Sequence, residues 1–156
     1  MKYLAVAFAA IAFALTAQAA QNGQSAQTGQ NDRFVGTWKL NVAKSKFNPG
    51  PAAKSETVTI AQDKVDVEEV TGEGKTMTWS YVPSPGTAAT ITGMENSSVM
   101  EKKVNDHTME HTWKMGNSTM QGKGVVSKSG TKMTYTLTGT NQEGKPVHNV
   151  LIFENQ

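Results

Sequence analysis

Thr108-Met109-Glu110-His111-Thr112-Trp113-Lys114-Met115 changes character at every residue. Met109, His111, Trp113 and Met115 share one side, while Thr108, Glu110, Thr112 and Lys114 share the other. A period of two, with one apolar and one polar face, is the pattern of a half-buried antiparallel strand. Gly116-Asn117 follows and suits a tight reversal, so the chain should return along itself as a second strand.

The same period recurs on either side of this stretch. Met77, Trp79 and Tyr81 alternate with Thr76, Thr78 and Ser80; Met133, Tyr135 and Leu137 alternate with Lys132, Thr134, Thr136 and Thr138; Val58 and Ile60 face away from Thr57 and Thr59. Threonine on the polar faces is β-branched and fits a pleated surface. Turn chemistry separates the runs at Thr71 to Gly74, Pro83 to Gly86, Val104 to Asp106, Ser129-Gly130 and Asn141 to Pro146. Nine or ten strands are expected, near 34–41, 56–62, 64–71, 75–82, 87–93, 97–104, 107–115, 118–127, 131–139 and 147–154. Past the N-terminal run of Tyr3 to Leu15, no stretch of ten residues has a helical period, and the one connection longer than a hairpin is Lys44 to Lys54, with Pro49, Gly50 and Pro51. A meander leaves two unpaired edges, and closing it removes them. The expected fold is therefore all-β: an antiparallel up-and-down meander closed into a barrel of eight to ten strands. A sandwich would require crossovers between sheets.

The remaining composition sets the domain plan. Lys2, the uncharged apolar run Tyr3 to Leu15 and Ala17-Gln18-Ala19 have the layout of a secretory signal over residues 1–19. The apolar run is shorter than the ~20 residues of a membrane span. Residues 20–32 are mostly Gln, Asn, Gly, Ser and Thr and read as a flexible polar leader; the barrel domain is placed at 33–156. Loss of Lys2 with the signal lowers the formal net charge from +2 to +1. That balance argues against the basic stripe of a nucleic-acid binder and the polybasic patch of a membrane-surface protein. The chain has no cysteine, which excludes disulfides, a thiol nucleophile, thiolate metal sites and a lipid-anchored N-terminal cysteine. The protein is expected to be exported, periplasmic or extracellular, without a membrane anchor, and monomeric.

Phe34-Val35-Gly36-Thr37-Trp38-Lys39-Leu40-Asn41 resembles the Gly-x-Trp opening strand of lipocalins and their calycin relatives. The longer block through Lys46-Phe47-Asn48-Pro49-Gly50-Pro51 to Lys54-Ser55-Glu56-Thr57-Val58 resembles a group of small exported bacterial lipocalin-like proteins, most of them uncharacterised. The resemblance spans about 34–156 and implies a calycin-type barrel. Three lipocalin features are missing: a late arginine over the first-strand tryptophan (the only arginine is Arg33), the Thr-Asp-Tyr motif, and a C-terminal helix after the last strand. The link Lys44 to Lys54 is also too short for the two-helix lid of fatty-acid-binding proteins. The resemblance therefore transfers no ligand.

The inward faces collect the candidate ligand-binding residues Trp38, Met77, Trp79, Tyr81, Met109, His111, Trp113, Met133 and Tyr135. Trp38 reads either as the base of a cavity or as a packed floor. Methionines suit adaptable apolar pockets, and Tyr81, Tyr135 and His111 are polar groups able to orient a guest. A barrel of this size is either filled by its side chains or wide enough for one small ligand. Met109, His111, Met115 and Met120 also offer soft donors for Cu(I) or Ag(I). His107 and His111 cannot share a metal, being ~13 Å apart along a strand. His107 is expected to be exposed, His148 to lie near Glu154, and Glu101-Lys102-Lys103 to be a solvated strand end. No catalytic motif emerges: Gly122-Lys123-Gly124 is strand rather than phosphate loop, and Glu68 and Glu69 fall on opposite faces. The expected role is binding of a small apolar molecule within the barrel, without catalysis or cofactor. A protein-interaction or inhibitor module with a filled core is the alternative, and soft-metal binding is the third reading.

Overall fold

The computed structural model describes residues 32–156. The signal expected over 1–19, and all but the last residue of the leader 20–32, lie outside the described residues. Ten strands follow one another: β1 Gly36–Leu40, β2 Ser55–Ile60, β3 Val65–Val70, β4 Thr76–Tyr81, β5 Ala89–Thr90, β6 Ser97–Asn105, β7 Thr108–Met115, β8 Ser118–Val126, β9 Lys132–Thr140 and β10 Pro146–Asn155. All pairings are antiparallel, in the order β4-β3-β2-β1-β10-β9-β8-β7-β6-β5. The first and last strands pair, with Trp38 opposite Asn155 and Leu40 opposite Phe153, so the meander curls into a nearly closed barrel.

The seam lies between β4 and β5. One bridge spans it: the Ser80 amide donates to the Thr92 carbonyl at 2.9 Å, and the Thr92 amide donates back at 2.8 Å. The strand expected over 87–93 forms only at Ala89–Thr90. Gly93 ends it in a left-handed conformation, φ +92°, where a Cβ would lie 2.5 Å from the Thr78 carbonyl oxygen.

The link after β1 makes one 3-10 turn, Val42–Lys44, capped by the Asn41 side chain. It then rejoins β10: Lys46 and Val150 exchange hydrogen bonds at 2.8 Å, and the Asn48 carbonyl accepts from His148 at 2.7 Å. Pro51 and Ala52 next pack against the β3–β4 turn, where a Cβ on Gly72 would lie 2.7 Å from both. The long link is thus a strap beside one mouth of the barrel, sewn to β10 and β3.

Inside and outside follow the period of two. Val65 and Val67 on β3, Val99 on β6, Met120 and Val126 on β8, Met133 on β9 and Leu151 and Phe153 on β10 are buried. The outer positions Thr76 and Thr78, Lys114, Gln121 and Lys123 are exposed. A polar exterior around an apolar interior is the reverse of a membrane-spanning barrel. The core falls into two clusters, one around Trp38, Leu40, Met133 and Phe153, the other around Val65, Tyr81, Ile91 and Val99. Trp38 is fully buried, and its indole N–H donates to the Phe34 carbonyl at 2.7 Å.

Candidate ligand-binding cavity

Strand register decides which side chains meet within the barrel. On β7, Met109, His111 and Trp113 point inward opposite Lys103, Glu101 and Val99 of β6. On the other side they face Gly124, Gly122 and Met120 of β8, and β9 continues the row with Tyr135 opposite Gly124 and Leu137 opposite Gly122. The two glycines leave the space that the β9 and β7 side chains occupy. A Cβ on Gly122 would fall 1.9 Å from the Tyr135 hydroxyl oxygen and 3.0 Å from the Trp113 indole nitrogen. Gly122→Ala is therefore expected to displace Tyr135 and cost about 1–3 kcal/mol through overpacking and a lost hydrogen bond. Urea unfolding measures the cost, and a shift in tryptophan emission would report the moved ring.

One wall is aromatic. Trp79 meets Trp113 edge to face at 5.5 Å, Tyr81 meets Trp113 at 6.0 Å, and His111 stacks on Trp113 at 5.7 Å. Such pairs add stabilisation beyond their area and hold the rings in fixed orientations. The Trp113 indole donates to the Tyr135 hydroxyl at 2.7 Å.

Among the described residues, two acidic groups lie on the inward strand faces. In the first, Glu101 receives the Tyr81 hydroxyl at 2.6 Å and lies 3.3 Å from His111 Nε2. Burial would raise the Glu101 pKa, but the hydrogen bonds from His111 and Tyr81 outweigh it and hold the carboxyl below its usual value. Burial, then the Glu101 charge, pushes the Tyr81 hydroxyl well above the ordinary phenol range. Burial likewise raises Tyr135, against the lowering effect of Trp113. Nδ1 of His111 is buried without a hydrogen-bond partner among the described residues.

The second group is a pair of carboxylates. Glu56 on β2 lies directly opposite Glu69 on β3, and Glu69 lies opposite Met77 on β4. Neither makes a hydrogen bond or ion pair with any described residue. Burial, reinforced by Glu69, pushes Glu56 up to about 8, and burial raises Glu69 as well.

These walls border an open-ended cavity of about 1270 Å³. Met77, Trp79, Tyr81, Met109, His111, Trp113, Met133 and Tyr135 all border it. Trp38, also expected in the interior set, does not; it is packed in the core with no exposed surface. Three other expectations are corrected. Glu101 is not part of a solvated strand end: it is in phase with Val99, points inward and is buried. His107 is half-buried, and its Nδ1 lies 3.0 Å from the Val126 carbonyl. Glu154 is held by Lys44 and Asn41 at 2.9 Å rather than by the exposed His148. The imidazole that a soft-metal site would use commits its Nε2 to Glu101.

The residues missed from sequence are Glu56, Glu69 and Glu101. Each is in phase with apolar neighbours on its strand: Glu56 with Val58 and Ile60, Glu69 with Val65 and Val67, Glu101 with Val99.

No protein-family model matches this chain, and no curated protein matches it. Among solved structures it is similar to the crystal structure of a point mutant of the fluorescent protein UnaG, with 18% identity and a TM-score of 0.51 over 80% of this chain and 96% of that one. At that identity the likeness is one of fold. With ten antiparallel strands among the described residues and its first and last strands paired, the chain folds as a nearly closed up-and-down barrel similar to that structure.

Proposed function

We propose that the protein is an exported binding protein that encloses one small, largely apolar molecule inside its barrel. The observation that carries this reading is the 1270 Å³ interior walled by Trp79, Trp113, Tyr81 and methionines. That is somewhat above the usual 300–1,000 Å³ of small-molecule sites and has their mixture of apolar walls with few polar groups. An interior of this size supports ligand binding over the filled-core interaction module. That the role is binding rather than catalysis is part of the same proposal. Affiliation with small exported bacterial lipocalin-like proteins, and a monomeric state, belong to the same proposal. Export rests on Lys2, the run Tyr3 to Leu15 and Ala17-Gln18-Ala19, and predicts a secreted product beginning at Ala20 on N-terminal sequencing.

Titration with an uncharged apolar dye tests the binding role. Saturable quenching of tryptophan emission at one dye per chain is expected, since two of the three tryptophans border the cavity. Leu137→Trp, which puts a bulky ring into the same space, is expected to weaken that binding about tenfold or more. Absence of saturable binding, or indifference to Leu137→Trp, would overturn the assignment.

A further inference from the structure

The cavity is apolar over most of its wall, but its charged groups have one predominant sign. Glu56, Glu69 and Glu101 all border it. Glu101 is satisfied by Tyr81 and His111, whereas the Glu56 and Glu69 carboxylates have no hydrogen-bond or ion-pair partner among the described residues and border the cavity. The sole arginine, Arg33, is exposed and donates to the Lys128 carbonyl. Among the described residues, two lysines border the space. Lys103 is tied to Asp32 at 3.1 Å, beside the β6–β7 turn. Lys75 lies on the β3–β4 turn, exposed and in no ion pair with either carboxylate. A ligand carboxylate placed within this barrel would meet like charge.

We propose that the enclosed molecule is a basic amphiphile, its cationic head against Glu56 and Glu69 and its apolar or aromatic body along Met77, Trp79 and Trp113. This deepens the binding role proposed above and rests on it. Met77 is directly across from Glu69, and Trp79 is the next inward residue on β4, ~7 Å further along. A head at the carboxylates therefore places its body on the aromatic wall within one small-molecule length. Faces of tryptophan also attract cations, so the wall tolerates a charged group moving along it. Glu69 of β3 lies directly across from Glu56, the Tyr135 hydroxyl of β9 feels the Glu56 charge, and Glu73 and Lys75 of the β3–β4 turn border the same cavity. Burial raises Glu56 to about 8, and a bound cation offsets that burial by giving the ionised form a partner.

The test compares three probes with one twelve-carbon chain, dodecyltrimethylammonium, dodecanol and dodecanoate, titrated into the purified protein below their micelle concentrations. The ammonium is expected to bind at least about tenfold more tightly than the carboxylate, and Glu56→Gln or Glu69→Gln should remove most of that preference. The ammonium carries no titratable proton, so its affinity is expected to rise about tenfold between pH 7 and pH 9 as Glu56 ionises. Equal binding of ammonium and alcohol, tighter binding of the carboxylate, or an ammonium affinity unchanged in both variants would overturn the cationic assignment while leaving the barrel a binder. Failure of all three probes to bind would overturn both.

Discussion

Trp38→Ala is expected to lower stability by about 3–5 kcal/mol, the range for deleting a fully buried large aromatic side chain. Trp38 has no exposed surface and packs in the cluster that includes Leu40, Met133, Leu151 and Phe153. It lies on β1, the strand whose pairing with β10 joins the two ends of the meander. Truncation leaves a void at that junction and also removes the partner of the buried Phe34 carbonyl. Trp38→Phe separates the two effects: it keeps most of the apolar area, loses the indole N–H, and should cost about 1–3 kcal/mol for the unpaired carbonyl and reduced packing. Urea denaturation of both variants, followed by far-ultraviolet circular dichroism, checks the ordering. A loss below about 1 kcal/mol for Trp38→Ala would show that the closure of the barrel does not depend on this side chain. Because Trp38 does not border the cavity, ligand affinity in the folded fraction of Trp38→Phe should stay close to that of the parent.

The strands were legible because their period is local. Met109, His111, Trp113 and Met115 declare an inward face without reference to any other part of the chain, and each hairpin carries its own turn residues. The failures are of two kinds. Where backbone geometry overrides composition, the apparent strand 87–93 shortens to Ala89–Thr90, bounded by glycines 86 and 93 at positive φ. Where meaning depends on a partner, local pattern is silent. Glu101 beside Lys102 and Lys103 looks like a solvated charge run until β6 is registered against β7 and His111 comes opposite. Glu56 and Glu69 meet only through the β2–β3 register. The usable signal was phase: a carboxylate at the same parity as Val58 and Ile60 must either point into the barrel or break the alternation. The same parity marks Gly122 and Gly124, aligned with Met120 and Val126, as inward positions emptied for a neighbour's ring.

Glu56→Gln is expected to stabilise the ligand-free protein at alkaline pH and to leave it nearly unchanged near pH 4. The folded-state pKa of Glu56, about 8, lies above the ordinary carboxylate value of 4.5. Between those values the native state holds a proton that the unfolded chain releases, so stability falls as pH rises through the window. Glutamine is uncharged and free of this loss. At pH 8.5 the gain should be on the order of 2–3 kcal/mol, less than the full shift implies because the side chain is half-buried and open to the cavity. Glu101 works in the opposite sense: its pKa is held low in the fold, so its contribution is present above the ordinary carboxylate value and is lost on acidification. Urea midpoints of parent and Glu56→Gln at pH 4, 6 and 8.5 should therefore diverge progressively, and parallel profiles would show that Glu56 ionises in contact with bulk solvent. A divergence would also bear on function. A side chain that weakens the fold at neutral and alkaline pH, where glutamine of nearly the same shape would not, needs a compensating role. The cation proposed for the cavity supplies one, since its binding gives Glu56 the oppositely charged partner that it lacks among the described residues.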